Sequence, residues 1–181
     1  MLTDLQKRKI KNLFAVHDLD RDGVLRQRDF EEYTRRITTP RGWKPGSPEY
    51  DEVRSRFMTF WAGLTAKADT SHDHRVTIDE WFAYWDQLLG EQALYDGIPK
   101  PIADSVFHLL DEDGDGEISA EEYSRLYSAG GLDPALASEA FAKLDLDHDG
   151  RLSVDEMMTL LGQFFRSDDP KSPGNWLFGP F

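Results

Sequence analysis

Asp111-Glu-Asp-Gly-Asp-Gly-Glu-Ile-Ser-Ala-Glu-Glu122 decides the fold. Carboxylates alternate at positions 1, 3 and 5 of this stretch (Asp111, Asp113, Asp115), Gly116 stands at position 6, and Glu122 closes it at position 12. A chain wrapped round an ion presents every second side chain inward. The spacing therefore describes an oxygen cage: three carboxylates, the Glu117 carbonyl at position 7, Ser119 at position 9 to hold a bridging water, and a bidentate Glu122. Glycine at position 6 supplies the positive φ of the sharp turn. Hard oxygen ligands in that number suit calcium.

The pattern returns 34 residues later, in Asp145-Leu-Asp-His-Asp-Gly-Arg-Leu-Ser-Val-Asp-Glu156. Its ligands are Asp145, Asp147, Asp149, the Arg151 carbonyl, Ser153 and Glu156, with Gly150 at the turn. Two nearer copies are less regular. The loop 18–29 offers Asp18, Asp20, Asp22 and the Val24 carbonyl, but closes on Asp29 and carries Arg26 at position 9. A shorter carboxylate reaches an ion less easily with both oxygens, which favours six-coordination and admits magnesium. The loop 69–80 keeps Asp69, Asp73, the Arg75 carbonyl and Glu80, but has Ser71 at position 3 and His74 where glycine is expected. A neutral hydroxyl and a strained turn leave its occupancy open. Three calcium sites are expected, with the loop 69–80 as a fourth candidate.

These windows resemble EF-hand loops, and the flanks agree. Apolar residues recur at helical spacing before each loop (Ile10, Leu13, Phe14; Trp61, Leu64; Val106, Phe107, Leu110; Phe141, Leu144), and Phe30, Trp81, Tyr123 and Met157 follow them. An all-α fold follows, with four helix-loop-helix units in two pairs. Position 8 is apolar in all four loops (Leu25, Val76, Ile118, Leu152), where paired loops would form a two-residue β contact. Thr3 with Gln6 reads as a capping box, and Ser47-Pro48 and Asp133-Pro134 read as helix starts. The expected division is an N-terminal pair in 1–98, a C-terminal pair in 99–165, and an apolar tail, 166–181, folding back on the core. The halves are expected to meet near residues 96–101.

The charge distribution fits. The net charge is −13, yet the four loops hold 20 of the 34 acidic residues against five arginines, so the rest of the chain is close to neutral. Acidity gathered at four places marks cation sites, and the overall sign disfavours nucleic acid and anionic membrane as partners. There is no cysteine, so disulfide, thiolate and CxxC chemistry are excluded. No run reaches the length of a membrane span, and a monomer in the cytoplasm is expected. Lys7, Arg8, Lys9 and Lys11 read as a solvated helix face. No catalytic grouping appears, and an enzyme is not expected.

Four such hands with Asp29 closing the first, an irregular second loop, a long first linker and a tail ending in Trp176, Leu177, Phe178 and Phe181 resemble the sarcoplasmic calcium-binding proteins and their bacterial calerythrin-like relatives. That resemblance implies a compact buffer of calcium and magnesium. A calcium sensor capturing a partner helix is the alternative, although the chain has only four methionines for an adaptable groove. A coelenterazine-type ligand-binding protein is a third reading. Of five histidines, four lie in or beside loops, which leaves His108 as the candidate cavity residue.

Overall fold

The structure is a computed structural model, and it describes residues 1–92 and 99–181. Eight α-helices run through the described residues: α1 Asp4–His17, α2 Gln27–Thr38, α3 Pro48–Ala68, α4 Ile78–Gly90, α5 Pro99–Leu110, α6 Ala120–Ala129, α7 Ala137–Leu144 and α8 Val154–Arg166. Four short strands lie in the loops: β1 Val24–Leu25, β2 Val76–Thr77, β3 Glu117–Ser119 and β4 Arg151–Ser153. β1 pairs antiparallel with β2 and β3 with β4, with Leu25 opposite Val76 and Ile118 opposite Leu152. The second contact is three residues long, not two, because Ser119 and Arg151 extend the ladder by one pair. All four position-8 side chains are fully buried, which ties each loop to its neighbour.

Local chemistry sets the helix boundaries. Thr3 and Gln6 form the expected capping box on α1, and the Ser47 hydroxyl accepts from the Tyr50 N–H at the start of α3. Asp133 caps a 3₁₀ turn, Pro134–Leu136, so α7 begins only at Ala137. The junction expected near residues 96–101 lies largely outside the described residues.

One apolar core spans both pairs of hands. Trp85 of α4 stacks on Phe165 of α8, with ring centroids 4.6 Å apart and planes 12° from parallel. The indole N–H of buried Trp81 donates to the Ile10 carbonyl across 2.9 Å, locking α4 to α1. The tail crosses the end of this core: a 3₁₀ turn, Pro173–Trp176, packs on α8 and α7, and the Asn12 amide donates to the Phe178 carbonyl at 2.7 Å. Leu177 is buried, Trp176 and Phe178 are half-buried, and Phe181 is exposed.

Lys9 does not belong to a solvated face. It is fully buried, and its ammonium donates to the carbonyls of Ser167 (2.7 Å) and Gln163 (3.2 Å) at the C-terminal end of α8. It lies one helical turn from Leu5 and Leu13, so its stem joins the apolar stripe while its charge meets the negative end of α8. Lys7, Arg8 and Lys11 are exposed.

Candidate metal centres in the four loops

The first Asp of each loop organises the turn before any ion is considered. Asp18 accepts from the N–H groups of Asp22 and Gly23, Asp69 from those of Asp73 and His74, and Asp111 from those of Gly114 and Gly116. Position 6 is left-handed throughout: φ is +84° at Gly23, +59° at His74, +84° at Gly116 and +88° at Gly150. Position 4 is left-handed as well, at Arg21, His72, Gly114 and His148. The sequence reading missed this second turn residue, and glycine and histidine at position 4 are the signal that could have found it.

Position 12 shows why Asp29 differs from the glutamates. Glu122 accepts from the Glu112 N–H (2.8 Å) with one oxygen and from the Ser119 N–H (2.8 Å) with the other, so it bridges positions 2 and 9. Glu156 does the same with Leu146 and Ser153, and Glu80 with Thr70 and Thr77. Among the described residues, the Asp29 carboxylate accepts only from the Arg26 N–H at position 9, at 2.7 Å, while the Leu19 N–H at position 2 turns to the His17 carbonyl. Electrostatics follow this division. Burial opposes the charges of Glu122 and Glu156, but hydrogen bonds from Ser119 and Ser153 outweigh it and hold both carboxyls below their ordinary range. At Asp29 burial prevails, and its carboxyl is raised.

Among the described residues, three groups of acids bring ligand atoms within 4.8 Å of one another: Asp18, Asp20 and Asp22; Asp111, Asp113 and Glu122; Asp145, Asp147 and Glu156. Asp29 stands outside the first group, Asp115 and Asp149 stand outside the other two, and the loop 69–80 forms no such group. Asp145 Oδ1 is buried and, among the described residues, has no hydrogen-bond partner. A buried, unpaired carboxylate oxygen beside two further acids is the arrangement a bound cation satisfies, so these residues fit a calcium ion.

Arginines differentiate the loops further. Arg26 and Arg28 pair with Asp22 and Asp20 in the first loop, Arg75 with Asp73 in the second (2.6 Å), and Arg151 reaches across from the fourth loop to Asp115 of the third (2.6 Å). Asp149 accepts the Arg151 N–H at 2.9 Å, and among the described residues no guanidinium pairs with it.

Inside the core, between the two pairs, is a cavity of about 130 Å³. His17, not His108, is its histidine. His17 is buried against Phe30 and Tyr33, with ring centroids 4.9 and 4.8 Å away, and burial pushes its imidazole down to about 4, so it is neutral. His108 is exposed and lies 3.9 Å from the Asp104 carboxylate on the outer surface of α5. His17 borders a loop in sequence, yet it follows Leu13 by one helical turn and shares its inward face.

Comparison with known proteins agrees with this geometry. A model of the EF-hand domain pair matches residues 102–162. The chain is 28% identical to calerythrin of Saccharopolyspora erythraea over 137 residues, covering 75% of this chain and 77% of that protein. The fold is similar to that of a sarcoplasmic calcium-binding protein from amphioxus, with a TM-score of 0.78 at 22% identity and full coverage of both chains. It is also similar to the calcium-loaded apo form of the coelenterazine-binding protein of Renilla muelleri, with a TM-score of 0.72 at 21% identity, covering 99% of this chain and 100% of that one. Among the described residues, no helix is long and apolar enough to cross a membrane.

Proposed function

We propose that this chain, an EF-hand protein of the sarcoplasmic calcium-binding protein type, binds calcium through three loops and acts as a monomeric buffer of calcium and magnesium. The third loop would hold calcium through Asp111, Asp113, Asp115, the Glu117 carbonyl and Glu122. The fourth would use Asp145, Asp147, Asp149, the Arg151 carbonyl and Glu156. The first loop, with Asp18, Asp20, Asp22, the Val24 carbonyl and the short Asp29, accepts magnesium as well. The second is the weakest, because Ser71 brings no charge, Asp73 is held by Arg75, and His74 occupies the left-handed turn. The functional units are the pair of loops in 1–98, the pair in 99–165 and the tail 166–181 as an internal plug.

The observation that carries the buffer reading over the sensor reading is the position of that tail. Leu177 and Phe178 form part of the wall of the central cavity, between helices of both pairs. A sensor must present an apolar groove to a partner helix, and tail residues packed into the wall between the pairs support a chain that keeps its apolar surface covered. Calcium titration by calorimetry, with and without magnesium, tests the proposal when paired with ANS fluorescence. Three sites per chain, one of them weakened by magnesium, with little change in ANS emission are expected. A large calcium-dependent ANS rise together with capture of an amphipathic helix would overturn the buffer reading in favour of a sensor.

A further inference from the structure

The central cavity has a chemistry that calcium binding does not use. Its wall is built largely from aromatic rings, including Phe57, Phe60 and Trp81, yet four of its residues keep a buried polar atom with no hydrogen-bond partner among the described residues: His17 Nδ1, Trp85 Nε1, Tyr123 Oη and Tyr127 Oη. They come from α1, α4 and α6, so they converge from both pairs of hands. Buried polar groups are ordinarily paired, and each one left alone costs more than a typical hydrogen bond returns. Four around one space mark a place where something else supplies the partners. No charged side chain lines the cavity among the described residues, so an ionic guest would be left uncompensated. Its size limits the guest too: an engineered apolar cavity of about 150 Å³ in another protein holds benzene, and this one is about 130 Å³.

We infer that the cavity is a binding site for a neutral aromatic molecule of single-ring size bearing a hydroxyl group, a simple phenol in chemical class. The ring packs against the aromatic wall, and the hydroxyl, as donor and acceptor, pairs with the tyrosine hydroxyls and the Trp85 N–H. The site is distinct from the four loops, and its failure would leave the calcium titration unchanged. A guest of several fused or linked rings, such as coelenterazine, exceeds the space.

The test is titration of the calcium-loaded full chain with phenol, followed by calorimetry and thermal unfolding, with benzene and coelenterazine as parallel probes. Phenol is expected to bind once per chain and about fivefold more tightly than benzene, the factor one net hydrogen bond supplies. Tyr127→Phe removes a hydroxyl without changing shape. It should bring phenol down toward benzene while calcium binding stays at its wild-type value, and Leu161→Trp, which fills the space, should abolish binding of both probes. Absence of saturable phenol binding up to concentrations on the order of tens of millimolar would overturn the proposal and leave the cavity to ordered water. Equal affinity for phenol and benzene, or tighter binding of coelenterazine, would overturn it equally.

Discussion

Replacing Gly174 with alanine tests whether the tail is a fixed part of the fold. A Cβ at this position would stand 2.3 Å from the Leu160 carbonyl oxygen, 2.6 Å from Gln163 Cβ and 2.9 Å from the Phe164 nitrogen. Two of those atoms are backbone inside α8, where the helical hydrogen bonds leave little room to yield, so the 3₁₀ turn Pro173–Trp176 must move away by about 1 Å to restore ordinary contact. Such a move stretches the 2.8 Å bond from the Gly174 N–H to Gln163 Oε1, which contributes about 1 kcal/mol, and strains the packing by about 1–3 kcal/mol. Complete release would also return Leu177 to water, at roughly 1.5–3 kcal/mol, and more for Phe178. The cheaper course is a strained but docked tail, so a loss of about 2–3 kcal/mol is expected. That is large enough to measure and small enough to leave the domain folded. Urea unfolding of calcium-free wild type and Gly174→Ala measures it, with ANS emission reporting whether the tail has detached. A variant within about 0.5 kcal/mol of wild type would refute the close approach on which the plug depends.

Three other perturbations give distinct readouts. Glu156→Gln removes the bidentate carboxylate of the fourth loop and should weaken that site by on the order of 100-fold in a competitive chelator titration, with the first loop unaffected. Ser71→Asp adds the carboxylate missing from position 3 of the second loop, and should raise the calorimetric stoichiometry by one calcium per chain; an unchanged count would assign the weakness to His74 instead. Lys9 titrates at about 8 in the fold, chiefly because burial disfavours its charge, against 10.5 when unfolded. Between those values the unfolded state holds more protons, so stability should rise with pH, by up to about 1.4 kcal/mol per unit, and Lys9→Met should lose that slope in urea unfolding at pH 7.5 and 9.5 without metal.

The ligand-bearing loops were legible because each is a local object. Twelve consecutive residues supply the cage, the turn and the cap of the next helix, and Glu122 closes its loop through bonds to residues no more than ten positions away. The same locality made Asp29 readable as too short, and the missing bond to the Leu19 N–H is the structural form of that shortfall. What was not legible depends on distant partners. Lys9 and Ser167 are separated by 158 residues, and nothing in the run Lys7-Arg8-Lys9 says that one of its charges will end a helix far along the chain. His17 was set aside because it touches a loop in sequence, although its side chain points the other way, into the space between the pairs. Residue type predicts polarity, whereas burial is decided by which elements meet, and α1 meets the end of α8 and the tail across 158 and 166 residues of sequence. The residues most open to misreading are therefore those at the central cavity, where the two pairs contribute to one wall, and a functional assignment made from the loops alone overlooks the part of the molecule where their contributions combine.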